Sequence, residues 1–68
     1  NLAGQNNQSD ILLGLSGNDV IAGQGGSDLI LGGNGNDTID GGAGNDLLFG
    51  GNGNDILLGG TGRDQLDG

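Results

Sequence analysis

Seven aspartates recur at a fixed spacing of nine residues: Asp10, Asp19, Asp28, Asp37, Asp46, Asp55 and Asp64. A carboxylate can serve as a general acid or base, as a nucleophile, or as a ligand for a hard cation. The first two roles need a second functional group with a different pKa, and the chain contains no His, Cys, Lys or Tyr. Cation binding needs only more oxygen. Here each aspartate follows a glycine-rich stretch such as "GGNGND" at 32–37. Backbone carbonyls exposed in glycine loops are hard oxygen donors of the kind a flexible, irregular calcium site uses. Without His or Cys, zinc, copper and iron are disfavoured, and magnesium prefers a regular octahedron of mostly water oxygens. The residue types therefore point to calcium and to a chain that is not an enzyme.

The charge balance agrees. Nine acids face one cation, Arg63, so the formal net charge is −8. That sign argues against nucleic acid and against an anionic membrane surface as partners. Apolar runs such as Ile11–Leu13 reach only three residues, too few for membrane insertion by this segment or for a signal-peptide core. With 68 residues, 19 Gly and no Cys, the chain has little core and no disulfide to offset the entropy of ordering it. A bound metal is the staple that remains.

Composition alone would equally suit a flexible linker. The register excludes that. The chain reads as one segment, 1–68, of a larger protein, with seven units at 5–13, 14–22, 23–31, 32–40, 41–49, 50–58 and 59–67. Position 6 is Asp and position 8 is Leu or Ile in all seven units; positions 1 and 4 are Gly in six, failing at Gln5 and Gln8. Positions 7–9 are short apolar triplets such as "VIA", "LIL" and "LLF", which predict three-residue strands. Strand and loop in strict alternation predict an all-β solenoid, a right-handed parallel β-roll with two units per coil and successive strands on two opposite sheets. Position 8 then faces inward, and positions 7 and 9 face out. Equivalent aspartates one coil apart stand about 4.8 Å from each other. Unit charges at that distance repel by roughly 3–4 kcal/mol at an effective dielectric near 20. Two such ladders, Asp10/Asp28/Asp46/Asp64 and Asp19/Asp37/Asp55, require cations between their rungs.

"GGNGNDTID", "GGAGNDLLF", "GGNGNDILL" and "GGTGRDQLD" fit G-G-x-G-x-D-x-U-x throughout, while "GLSGNDVIA" and "GQGGSDLIL" lose the second glycine and "QNNQSDILL" keeps only Asp10 and Leu12. The chain thus resembles the RTX calcium-binding nonapeptide repeats over almost its whole length. The resemblance implies calcium held between loops one coil apart. The upstream loop gives carbonyls at positions 2 and 4 and its Asp; the downstream loop gives carbonyls at positions 1 and 3 and its own Asp. On that pattern one site uses Leu15, Gly17 and Asp19 with Gly32, Asn34 and Asp37. A second uses Gln24, Gly26 and Asp28 with Gly41, Ala43 and Asp46. A third uses Gly33, Gly35 and Asp37 with Gly50, Asn52 and Asp55, and a fourth Gly42, Gly44 and Asp46 with Gly59, Thr61 and Asp64. A fifth, between residues 6–10 and 23–28, is compromised by Gln8. The resemblance also implies a secreted, extracellular protein exported through type I secretion, in which folding follows calcium binding.

The remaining features read more simply. Asn18, Asn36, Asn45 and Asn54 are expected to be solvated turn formers, and Asp40, Asp67 and Arg63 to face water. The Asn rows leave an adhesive or ice-binding surface as the alternative function, although the regular Thr row such a surface would want is missing. Ile11, Leu13, Leu29, Leu31, Leu47 and Phe49 are expected to share the outer face of one sheet, a patch large enough to pack on the parent protein, a partner or a second copy.

Overall fold

The protein was analysed as a computed structural model, which describes residues 2–3 and 9–68. Every regular element among them is a strand: β1 (Leu2–Ala3), β2 (Ile11–Leu13), β3 (Val20–Ala22), β4 (Leu29–Leu31), β5 (Thr38–Asp40), β6 (Leu47–Phe49), β7 (Ile56–Leu58) and β8 (Gln65–Asp67). Odd strands form one parallel sheet, β1-β3-β5-β7, and even strands the other, β2-β4-β6-β8. This is the parallel β-roll expected from the nine-residue period. The expected strands fall on the apolar triplets; β1 lies ahead of the first unit and has no repeat signal of its own.

A strand of three residues survives because its ladder is longer than it is. The carbonyl of each position-6 Asp from Asp10 to Asp46 accepts the N–H of position 7 one coil on, as in Thr38 N to Asp19 O at 2.8 Å. The N–H of each position-1 glycine from Gly14 to Gly50 in turn donates to the position-9 carbonyl one coil on, as in Gly32 N to Phe49 O at 2.7 Å. Backbone groups flanking the triplet are thereby paired, as buried amides must be.

Side-chain alternation puts one residue per strand inside. Ile21, Ile30, Ile39 and Leu48 are fully buried, with Leu12 and Leu57 packed against them. Leu66, in the same column on β8, remains 46% exposed; among the described strands β8 pairs with β6 alone. The core is one side chain thick, so hydrophobic burial alone gives this roll a narrow margin.

The loops stack as closely as the strands. Gly33, Gly42, Gly51 and Gly60, all at position 2, have φ between 81° and 87°. A Cβ on any of them would run into the position-2 carbonyl of the coil before: Leu15 O, Gln24 O, Gly33 O and Gly42 O in turn. The two units without that glycine keep the same backbone, with φ 69° at Leu15 and 68° at Gln24. A left-handed conformation in these residues costs on the order of 1–2 kcal/mol.

Candidate metal centre

The repeat folds each aspartate back against the first residue of its own unit. Asp28, Asp37 and Asp46 are 3% exposed or less, an unusual depth for a carboxylate. One oxygen of each is accounted for. Asp10, Asp19, Asp28, Asp37 and Asp46 donate their backbone N–H to Oδ1 of Asp28, Asp37, Asp46, Asp55 and Asp64, one coil on, at 2.8–2.9 Å. The other oxygen is not: Oδ2 of Asp19, Asp28, Asp37, Asp46 and Asp55 is buried with no hydrogen-bond partner. A buried anionic oxygen left unpaired costs several kcal/mol.

These oxygens share a location. The point where a Cβ on Gly32 would stand is 2.7 Å from Asp37 Oδ2 and 2.7 Å from Gly50 O. On Gly14 it is 2.8 Å from Asp19 Oδ2 and 2.5 Å from Gly32 O; on Gly23, 2.6 Å from Asp28 Oδ2 and 2.8 Å from Gly41 O; on Gly41, 2.7 Å from Asp46 Oδ2 and 2.9 Å from Gly59 O. Four times, a carboxylate oxygen and a carbonyl oxygen from the next coil converge where a glycine lacks a side chain. Two electronegative atoms brought together without a donor between them form a cradle for a cation, and an all-oxygen donor set suits calcium. The need for glycine at position 1 is therefore steric room for the carboxylate.

The remaining expected ligands are placed as follows. The position-2 carbonyls of Leu15, Gln24, Gly33 and Gly42 each accept the N–H of Asn34, Ala43, Asn52 and Thr61, at 2.8–3.2 Å, which leaves each a second lone pair. The position-4 carbonyls of Gly17, Gly26, Gly35 and Gly44 lie against Gly35, Gly44, Gly53 and Gly62 of the following coil. Among the described residues no three or more acidic, His or Cys side chains gather around one point. A cation in these gaps would meet two aspartates, and its other ligands would be carbonyls. The fifth expected site lies partly outside the described residues.

Asn18, Asn36 and Asn45 do more than the solvated turn formation expected of them. Oδ1 of Asn18, Asn36 and Asn45 accepts the backbone N–H of Asn36, Asn54 and Arg63 one coil on, at 2.7–2.8 Å, and Asn52 Nδ2 donates to Asn34 Oδ1 at 2.9 Å. They are exposed, yet they stitch the loops together rather than standing free in solvent. Identical Asn residues 18 positions apart were the available signal. Asp40 is exposed, as expected, and its Oδ1 accepts the N–H of Gly42 at 3.0 Å.

Burial pushes the Asp46 carboxyl above its usual range; the backbone N–H of Asp28 opposes this, and the neighbouring Asp28 and Asp64 charges add to it.

A solenoid whose loops gather carboxylates and carbonyls at every coil belongs to the class of cation-binding β-rolls. The family model described as RTX calcium-binding nonapeptide repeat (4 copies) matches residues 5–39 and again 31–66. This chain belongs to that family and is a calcium-binding repeat module. No curated protein and no solved structure matches it.

Two outcomes follow from this geometry. Gly32→Ala places a methyl group against Asp37 Oδ2 and Gly50 O and should weaken calcium binding at least tenfold by titration calorimetry. In a chelator, the raised pKa of Asp46 means that the fold binds more protons than the unfolded chain. Calcium-free stability should therefore rise as pH falls from neutral through the raised pKa, and be lost again above it. With calcium the sign reverses, because acid titrates the ligands. Circular dichroism against pH, with and without calcium, checks both signs.

Proposed function

We propose that this segment is a calcium-coupled folding module of a larger secreted protein, non-enzymatic in itself, and that it takes up ions in the gaps between successive loops. The observation that carries this reading is the set of buried, unpartnered Oδ2 atoms on Asp19, Asp28, Asp37, Asp46 and Asp55. The four ligand sets are those given by the family pattern: Leu15, Gly17 and Asp19 with Gly32, Asn34 and Asp37; Gln24, Gly26 and Asp28 with Gly41, Ala43 and Asp46; Gly33, Gly35 and Asp37 with Gly50, Asn52 and Asp55; and Gly42, Gly44 and Asp46 with Gly59, Thr61 and Asp64. Four divalent ions would offset the formal charge of −8 in full.

An interior aspartate works in two gaps. Oδ1 of Asp37 reaches upstream to the Asp19 amide, and its Oδ2 faces Gly50 O downstream. Binding at one gap therefore orders a residue of the next, which makes uptake cooperative. Extracellular calcium modules bind with Kd of about 10⁻⁴–10⁻³ M, so the chain would be uncompacted at cytosolic calcium and would fold after export. The engagement of the Asn18, Asn36 and Asn45 acceptors in loop stitching counts against the adhesive or ice-binding alternative.

Calcium, but not magnesium, should convert the circular dichroism from coil to sheet, with a cooperative midpoint in that concentration range. Asp37→Ala should remove two sites and Asp64→Ala one. A sheet spectrum equally strong in a chelator would sink the reading.

The outer face of the even sheet supports a packing role. Ile11 is 70%, Leu13 49% and Leu31 37% exposed, beside half-buried Leu29, Leu47 and Phe49. Replacing Leu29 and Leu47 with Lys should weaken association of the calcium-loaded chain in sedimentation velocity; a wild-type chain that sediments as a monomer at all concentrations would retire the patch as a self-association surface.

A further inference from the structure

Position 2 is glycine in four of the six described loops, because each of those loops rests on a carbonyl of the coil before it. The same geometry fixes where a side chain at position 2 must go. On Gly33, Gly42, Gly51 and Gly60 the missing Cβ points upstream, into the preceding loop's position-2 carbonyl. Leu15 and Gln24 hold the same backbone conformation, so their side chains stand in the place an upstream loop would need. Leu15 is 69% exposed, although its unit is otherwise ordinary. We infer that Leu15 and Gln24 are stops: they end loop stacking in the upstream direction on the two edges of the roll, so the ion ladder starts at their loops and holds four calcium ions, not five. The inference rests on the inter-loop calcium reading above and goes beyond it in assigning the ion number to two named side chains.

The strand register supplies an independent observation. Every other pairing joins residues 18 apart, such as Ile11 with Leu29 (29 − 11), whereas Leu2 stands opposite Ile21, 19 apart (21 − 2). By this register Leu2 stands ten residues before Leu12, where each later step between equivalent strand positions is nine. The connection before β2 does not keep the nonapeptide length, which the loop that Gln24 would have to rest on needs. Nothing comparable blocks the other direction. The position-2 residues of the last two loops are Gly51 and Gly60, whose carbonyls could accept a further loop.

The test is calcium stoichiometry on the whole chain, by flow dialysis and by native mass spectrometry, with calcium chloride as the only added metal. Four ions are expected. Gly51→Gln moves a stop into the last loop of its edge, where it should abolish only the gap between residues 32–37 and 50–55, giving three. Gly60→Gln does the same on the other edge, where it should abolish only the gap between residues 41–46 and 59–64, again giving three. Five ions in the wild type, or four in Gly51→Gln, would overturn the stops while leaving the inter-loop reading intact. Three or fewer in the wild type would overturn that reading and the stops with it. Should Gly51→Gln fail to fold, Gly60→Gln decides: three ions support the stops and four overturn them.

Discussion

Carboxylates in this protein are stacked at the spacing of a β-ladder with half of their oxygens facing no donor. Strand pairing holds the coils about 4.8 Å apart, and the aspartates can neither separate nor turn out to solvent without breaking it. The backbone N–H of the rung before meets one oxygen. Among the described residues no group meets the other oxygen of Asp19, Asp28, Asp37, Asp46 and Asp55. Such an arrangement is unfavourable for a bare chain, and a cation placed between the rungs would relieve it.

Other features of the repeat serve this constraint. Position-1 glycine makes room for the carboxylate, and position-2 glycine lets one loop rest on the next. Asparagine stitches keep the loop stack in register where there is no hydrophobic core to do so. The inner column, fully buried only at Ile21, Ile30, Ile39 and Leu48, sets which face of each strand is inside and adds a thin apolar layer. It does not have to hold the roll together unaided, which explains how a chain with so much glycine and a single aromatic residue can be ordered.

The family assignment and the geometry meet in the same loops. The repeat model covers the units that build the cradles. The cradles themselves are visible as a carboxylate oxygen and a carbonyl oxygen converging at Gly14, Gly23, Gly32 and Gly41. The outward apolar face of the even sheet and the side chains of Leu15 and Gln24 are not specified by the repeat pattern.

The nine-residue period in the sequence sufficed for the architecture, because a side chain that recurs at one phase of a parallel coil must stack on its own copies. It placed the strands from β2 onward, the inner Leu/Ile column and the two aspartate ladders. Tertiary structure alone decided the rest. Which carboxylate oxygen is paired and which is orphaned depends on the contact between coils, as do the stitching role of Asn18, Asn36 and Asn45 and the exposure of Leu66 on β8. The one-residue offset at β1 was likewise hidden, since Leu2–Ala3 carries no repeat signal and is located only by its hydrogen bonds to β3. A motif records what each unit contains; the distances between units, on which ion binding turns, exist only once the coils are stacked.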